Sequence, residues 1–590
     1  MGSPIQILGT ARAFARDFPR DDMPKGYLWD IVDFVPAIVD AQLTGRGKWN
    51  WASVDSGYGD IGGGIVATFK GGIDKVLVQG GLAGYPQLLE LVPPAVGGDP
   101  ATATWLPRGT TWWSVQNPVQ LREEVYQFDA QKLAPPHIWK VTGAPVVANS
   151  AHKFAPVGTT WQETLITGGA PGEEHVVRGA NVNVPDLTDA ASFDNAIRFP
   201  TDGQVTALQG MRTVLLVFHP SSVQRIRGGP LPNTVAEVGD EGMVKDVLFP
   251  SIGCVHPKSI ATWNDNCIWA SSHGIHITDG ATVKSLTSAG GISSYWRLLY
   301  EGASSIVATT FLDYYIVSIL HPDLRPPLPL SEKHGEDPTA GLLGRPQVPP
   351  PPDPVPRPEV PPLPPNLPDT RPPPPGEDDG RVPPGATPGT PYPGGRPGVP
   401  VRVANPYMTT LICDLNKKQW FRFSNFKCTS MFSGGMSDGM ERMWGGIEGW
   451  SRLATLGPAF YPNEGAPQVD GNGFSVRPRF ETGWVRLSEE GRKRVRFAYL
   501  SYDCRGFLPV TNPVRVSYST TPTLDPNPLS AGYKNAGQLP LTPNGYSRFR
   551  LPVYKFPYGI SFYVETVDTT GIFRVYDLGV EAQSSERSRV

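Results

Sequence analysis

The stretch WNDNCIWASSHGIHITDGATVKSL, residues 263–286, decides how the chain is read. An apolar run (CIWA, 267–270) meets a polar break (SSHG, 271–274). A second apolar run (IHIT, 275–278) ends at Asp279 and Gly280. Short strands bounded by Gly, Ser, Asn and Asp turns give this alternation. His273 and His276 sit three apart beside Asp279, so a metal or catalytic site has to be weighed against a structural unit. Successive side chains on a strand point to opposite faces, so residues three apart diverge. His273 falls in the turn, and no third or fourth ligand follows at zinc-like spacing. The three are expected to be ordinary turn and strand residues, with no metal site.

The same layout recurs on both sides. Residues 212–229 (RTVLLVFHPSSVQRIRGG) read as two strands around a turn at 219–222. Residues 74–81 with 85–92, 161–169 with 174–182, and 313–320 with 409–425 follow the same plan, and 440–457 is a shorter copy. A further strand leads into several units, as at 204–211, 258–265 and 304–311. Four antiparallel strands recurring at this spacing predict a β-propeller of about six or seven blades. Helical periodicity is nearly absent; the candidates, such as 22–41, are short and interrupted.

Composition agrees. The 590 residues include 65 Gly and 65 Pro, far above average usage for both, with 39% hydrophobic and 18% charged residues. Turn-rich, strand-rich chains have this profile. The net charge of −3 gives no basic field for nucleic acid. Cys254, Cys267, Cys413, Cys428 and Cys504 form no C-x-x-C pair, and an odd number suits no closed disulfide framework. They read as buried thiols in a protein made in a reducing compartment. The first twenty residues lack the apolar core of a signal peptide, and no apolar run is long enough to span a membrane.

Two shifts in composition mark boundaries. From His321 to Pro400, 29 of 80 residues are proline, which predicts polyproline II or disorder between two strands of one blade. After residue 467 the repeating phrase gives way to alternating strands at 494–504, 513–520, 546–554, 560–568 and 572–582. The expected organisation is an entry segment over 1–45 and a first propeller part over 46–320. A Pro-rich insertion over 321–405 and closing blades over 406–467 follow, with a separate C-terminal β-sandwich over 468–590.

Candidate chemistry is sparse. GTTW recurs at 109–112 and 158–161, but neither copy has the leading Ser-x-Asp of a sialidase Asp-box, so Trp112, Trp113 and Trp161 read as turn or core aromatics. The basic run at Arg492, Lys493, Arg494 and Arg496 alternates into a strand and reads as a solvated face. G-x-S-x-G, P-loop and H-E-x-x-H motifs are absent. No catalytic residue, cofactor or metal is expected, and the chain is not expected to be an enzyme.

The order of the phrases carries a resemblance. QGMRTVLLVFHPSSVQRIRG (209–228), then 249–280, then SLTSAGGISSYW (285–296), resembles a family of tailed-bacteriophage virion proteins, the propeller-bearing minor tail or tail nozzle proteins. DFVPAIVDAQLTGRGKWNWAS (33–53), CDLNKKQWFRF (413–423) and MWGGIEGWSRLATLGPAF (443–460) fit the same pattern; the Pro-rich segment departs from it. The resemblance implies a structural tail component assembled in the host cytoplasm, acting in adsorption and genome delivery. Its partners would be other tail proteins and further copies of itself, six in a short-tailed nozzle. Rival readings are a propeller that grips host-surface glycan through exposed tryptophans, a propeller glycosidase acting on the host envelope, and a Kelch-like cellular scaffold.

Overall fold

The computed structural model describes residues 4–584 apart from 322–408 and shorter gaps. The gaps are 9–12, 16, 18–26, 37–42, 47, 82–85, 95–98, 112–113, 133, 141–144, 148–153, 181–196, 229–242, 425, 436–439, 448–449, 457–475, 477, 483, 488–492, 506–512, 521–532, 543–546, 556, 558 and 567–571.

Each repeated phrase folds as a four-stranded antiparallel sheet whose strands pair in chain order. Blade 1 comprises Ile61–Phe69, Ile73–Gly80, Gln87–Val92 and Thr104–Thr110, and blade 2 Val119–Leu121, Glu124–Gln127, His137–Lys140 and Val146–Val147. Blade 3 is Val157–Trp161, Thr164–Ala170, Glu173–Gly179 and Ile197–Pro200; blade 4 is Ala207–Gly210, Val214–Phe218, Val223–Arg227 and Val244–Phe249. The stretch that opened the sequence reading supplies blade 5, with Ala261–Trp263, Asn266–Ser271, Gly274–Thr278 and Val283–Ser285. Blade 6 is Ser305–Phe311, Tyr314–Leu320, Thr409–Asp414 and Gln419–Phe423. Cys428–Gly435, Glu441–Ile447 and Leu453–Leu456 make three strands of blade 7. Its fourth is Asn50–Trp51, with Ala454 opposite Trp51 and Thr455 opposite Asn50. The expected range of six or seven blades resolves to seven among the described residues.

The ring closes because each blade buries apolar side chains against the next. Phe69, Leu77 and Leu88 meet Val125 and Trp139 between blades 1 and 2. Tyr126 and Phe128 meet Leu165 between 2 and 3, and Val157 and Ile166 meet Leu208 and Leu215 between 3 and 4. Phe218 stands edge-on to Trp269, centroids 5.5 Å apart, between 4 and 5. Ile61 and Val78 meet Phe432 and Trp444 between blades 1 and 7. Blades 5, 6 and 7 share the largest cluster with the helical bridge, the N-terminal strands and the sandwich.

The chain before residue 46 departs from the sequence reading. In place of the interrupted helix expected over 22–41, the described part forms Tyr27–Leu28, Asp30–Val32 and Phe34–Pro36 as strands. They do not make a separate entry segment. Pro4–Leu8 and Leu43–Gly45 both pair with Ile572–Ser584, while Asp30–Val32 pairs with Arg479–Glu481. The C-terminal half-buried strands do pack as two sheets. Ser547–Lys555, Lys493–Arg505 and Ile572–Ser584 lie in one; Arg479–Glu481, Gly559–Thr566, Val514–Ser519 and Lys534–Leu539 lie in the other. Phe34 of the first meets Phe480 of the second with ring centroids 5.9 Å apart, and Phe573 lies 5.8 Å from Phe34. The sandwich expected over 468–590 alone is therefore built partly from N-terminal strands. Its second sheet also runs on into blade 6, where Val32 sits beside Arg422 in parallel.

A buried polar joint holds that junction. Arg46 and Asp33, each 1% exposed, pair at 2.8 Å. Arg46 also donates to the Ser424 carbonyl at 2.9 Å and lies 5.0 Å from the Phe423 ring centroid. Asp33 accepts from the Ser424 N–H at 2.9 Å, and its own N–H donates to the Arg422 carbonyl at 2.8 Å.

Two helices the sequence reading did not identify, Leu286–Ala289 and Ser293–Tyr300, bridge blades 5 and 6. Ser285 caps the first by accepting from the Ser288 N–H at 3.1 Å. The Asp17 carboxylate accepts from the N–H groups of Ser293 (2.9 Å) and Ser294 (2.8 Å), and Trp296 and Leu299 anchor the second helix in the core.

The Pro-rich insertion expected over 321–405 lies outside the described residues except for His321. Its flanks are nonetheless hydrogen-bonded neighbours, with Ile319 opposite Thr409. Closure entropy changes by only about 0.6 kcal/mol per doubling of loop length. Replacing residues 323–407 by a short Gly-Ser turn should leave the melting temperature unchanged or slightly raised, measured by calorimetry. A melt many degrees lower would show that the segment holds the core together.

Candidate functional site

His273 lies exposed in the turn between the second and third strands of blade 5, its Nδ1 3.1 Å from Ser272 Oγ. Gly274 follows with φ of 145°, a conformation L side chains rarely adopt, and so allows the tight turn. His276 points inward, 3% exposed, with Nε2 2.9 Å from Ser271 Oγ and its ring 5.4 Å from that of Trp269. Asp279 accepts from the N–H groups of Ala281 (2.8 Å) and Thr282 (2.7 Å), which hold its carboxyl below its ordinary range. No group of three His, Cys, Asp or Glu suited to a metal occurs among the described residues. Replacing His273 and His276 together by Ala should leave metal content unchanged by elemental analysis; stoichiometric zinc lost in the variant would contradict this.

Burial pulls the His276 imidazole down to about 4. The unfolded chain, near 6.5, then takes up a proton that the folded chain refuses. The stability associated with neutral His276 is present above pH 6.5 and is lost as pH falls toward 4. His276→Gln should flatten the pH dependence of the urea midpoint across that window.

The five cysteines are free and buried. Desolvation pushes the Cys254 thiol up to about 11 and raises Cys267, Cys413, Cys428 and Cys504 as well, so none is a ready nucleophile. Trp161 is 2% exposed and belongs to the interface of blades 3 and 4. Trp112 and Trp113 lie outside the described residues. Of the basic run, Arg496 is exposed on the strand Lys493–Arg505, and Arg492 lies outside the described residues.

What the sequence did not reveal is the polar chemistry at the propeller axis. Where the inner strands begin, Lys258, just before blade 5, donates from Nζ to the Gly62 carbonyl of blade 1. No carboxylate lies within ion-pair distance of it among the described residues, and burial lowers its amine to about 8. Asn117 donates from Nδ2 to the Met431 carbonyl at 2.9 Å, linking blade 2 to blade 7, while its Oδ1 is buried without a partner. Both bonds join blades that are not neighbours: Lys258 reaches from the start of blade 5 to blade 1, and Asn117 spans blade 1 to reach blade 7.

Where the inner strands end, the hairpin turns of blades 3, 4 and 5 frame a pocket of about 600 Å³. Each turn follows an inner strand ending in a large apolar residue or running into one: Trp161, Met211 and Trp263. The pocket presents Gln162, Glu163, Gln209, Arg212, Asn264 and Asn266, with Trp263 beside them. Trp263 donates from Nε1 to Asp313 Oδ1 at 3.2 Å, which fixes its ring.

No family model matches the chain, and no curated protein matches it. Among solved structures it is similar to an exo-β-1,3-galactanase from Phanerochaete chrysosporium, determined with galactose. Identity is 7% and the TM-score 0.20, over 80% of this chain and 96% of that one. So low a score transfers neither fold nor activity. It does remove one expectation: the similar structure is named for an enzymatic activity, so the reading of this chain as a non-enzyme is withdrawn. Among the described residues no helix is long and apolar enough to cross a membrane.

Proposed function

We propose that the chain is a structural component of a bacteriophage tail, a nozzle or tip protein that assembles in the host cytoplasm and acts in adsorption and genome delivery. One observation supports the reading: the ordered phrases that resemble such proteins fall on successive elements of the propeller. Residues 209–228 span the central hairpin of blade 4, 249–280 cover the first three strands of blade 5, and 285–296 run into the helical bridge. The phrase at 33–53 is the seam that carries Asp33, Arg46 and the closing strand of blade 7.

The mechanism is geometric. A closed ring of blades holds its loops in fixed positions, and the fused sandwich gives a second surface for neighbouring subunits. The rim exposes Val92 and Leu106 on blade 1 and Val244 and Val247 on blade 4, apolar groups that adjoining copies would cover. Gold-labelled antibody against the protein, applied to purified phage particles of the host strain, should decorate the tail. Absence of the protein from every particle, by proteomics as well as labelling, would overturn the proposal.

A further inference from the structure

We infer that the pocket between the inner hairpins of blades 3, 4 and 5 is a carbohydrate-binding site, taking a short segment of a neutral polysaccharide chain. The inference goes beyond the tail reading and stands independently of it.

Size comes first. About 600 Å³ falls inside the roughly 300–1,000 Å³ typical of small-ligand sites. The lining then selects the ligand. Gln209, Asn264 and Asn266 each offer both donors and acceptors, Arg212 offers donors alone, and Glu163 acceptors alone. A polyol matches this mixture because every hydroxyl donates and accepts. An apolar ligand would strip these groups of water without replacing their bonds. A phosphate or nucleotide would meet the Glu163 and Asp265 carboxylates beside Arg212. Trp263, half-buried and fixed through its indole N–H, supplies the aromatic surface on which a pyranose ring packs.

The turns are also rigid. Trp161 pairs with Thr164 and Trp263 with Asn266 across two-residue loops. Gln162, Glu163, Asn264 and Asp265 hold φ of 49°, 58°, 45° and 58°. Such turns favour Asn-Gly, and a Gln-Glu pair in the left-handed region is strained. Side chains kept at a local conformational cost mark positions where the side chain matters. Arg212, exposed at the blade 4 turn, has no ion-pair partner among the described residues and is available to a ligand.

Saturation-transfer NMR of the full chain with maltotriose, cellotriose, chitotriose and galactotriose should show transfer to at least one. Trp263→Ala should weaken binding of that sugar about tenfold or more, and Trp263→Phe should restore most of it. Arg212→Ala, on an exposed turn that cannot compromise folding, should weaken it about fivefold at an unchanged melting temperature. Should Trp263→Ala unfold the chain, Arg212→Ala decides alone. No transfer to any of the four sugars overturns the inference, as does binding that Arg212→Ala leaves at full strength.

Discussion

Removing residues 1–51 is expected to abolish cooperative folding of the propeller and the sandwich together. Ile7, Leu28, Trp29, Ile31, Val32, Phe34, Val35, Leu43, Trp49 and Trp51 are all at most 8% exposed. Each buried side chain of this size contributes about 1.5–3 kcal/mol. Ten of them exceed the whole net stability of an ordinary domain, about 5–15 kcal/mol. The geometry makes the loss worse. Trp49 packs edge-on to Trp51 at 4.9 Å and near Phe426 at 6.2 Å, and Trp51 lies 5.3 Å from Trp450, so the closing strand is also an aromatic plug. Its removal opens blade 7 and strips the strands that edge both sandwich sheets. Circular dichroism and a thermal melt of the shortened chain check this. A cooperative transition at the temperature of the intact chain would refute it, as would a cooperative melt of residues 468–590 expressed alone.

Arg46→Ala should cost about 3–5 kcal/mol, the usual penalty for removing one member of a buried ion pair. Asp33, buried in the intact protein, would lose the guanidinium it pairs with, and the Ser424 carbonyl would lose its Arg46 donor. Arg46→Lys should recover part of the loss, because one ammonium cannot serve both the Asp33 carboxylate and the Ser424 carbonyl with the fork geometry of a guanidinium. High salt should not change the difference between wild type and variant, since the pair is shielded from solvent. By contrast, the Arg122–Glu163 contact at 3.9 Å is exposed on both sides and should contribute little. Urea titrations followed by tryptophan fluorescence measure each of these; a midpoint shift below the scatter for Arg46→Ala would reject the role assigned to the pair.

The blades were legible because their hairpins are local. In 263–286 each apolar run and its turn are contiguous, and the pairing Ile268 to Ile277 follows from neighbours in the chain. The hairpin across the Pro-rich segment was legible for the same reason, once its two halves were matched by pattern. Residues 27–36 were illegible because their partners are remote: Val32 pairs with Arg422 and Arg479. Short apolar runs are ambiguous between helix and strand, and only those distant partners decide. The helix Ser293–Tyr300 was missed for a related reason, since its N-terminal cap is Asp17, far upstream. The pocket was hidden although all its turns were seen. Leu121, Glu163, Arg212 and Asn264 are each about 40–50 residues from the next, the length of one blade, and only ring closure brings them to one rim. The bonds of Lys258 and Asn117 between blades that are not neighbours were hidden in the same way.

The closure of blade 7 has a mechanical consequence. Successive blades are joined by continuous chain, but blade 7 takes its strands from both ends of the propeller, and Asn50–Trp51 meets Leu453–Leu456 through hydrogen bonds and packing with no covalent link. Under tension the propeller is a split washer with one clasp. Leu43–Gly45, a few residues before the clasp, is bound into the sandwich. A pull that draws the sandwich outward is therefore delivered to the clasp through a very short lever, while the other inter-blade joints are backed by covalent chain. A pull on the sandwich would therefore open the ring at this clasp before any other joint.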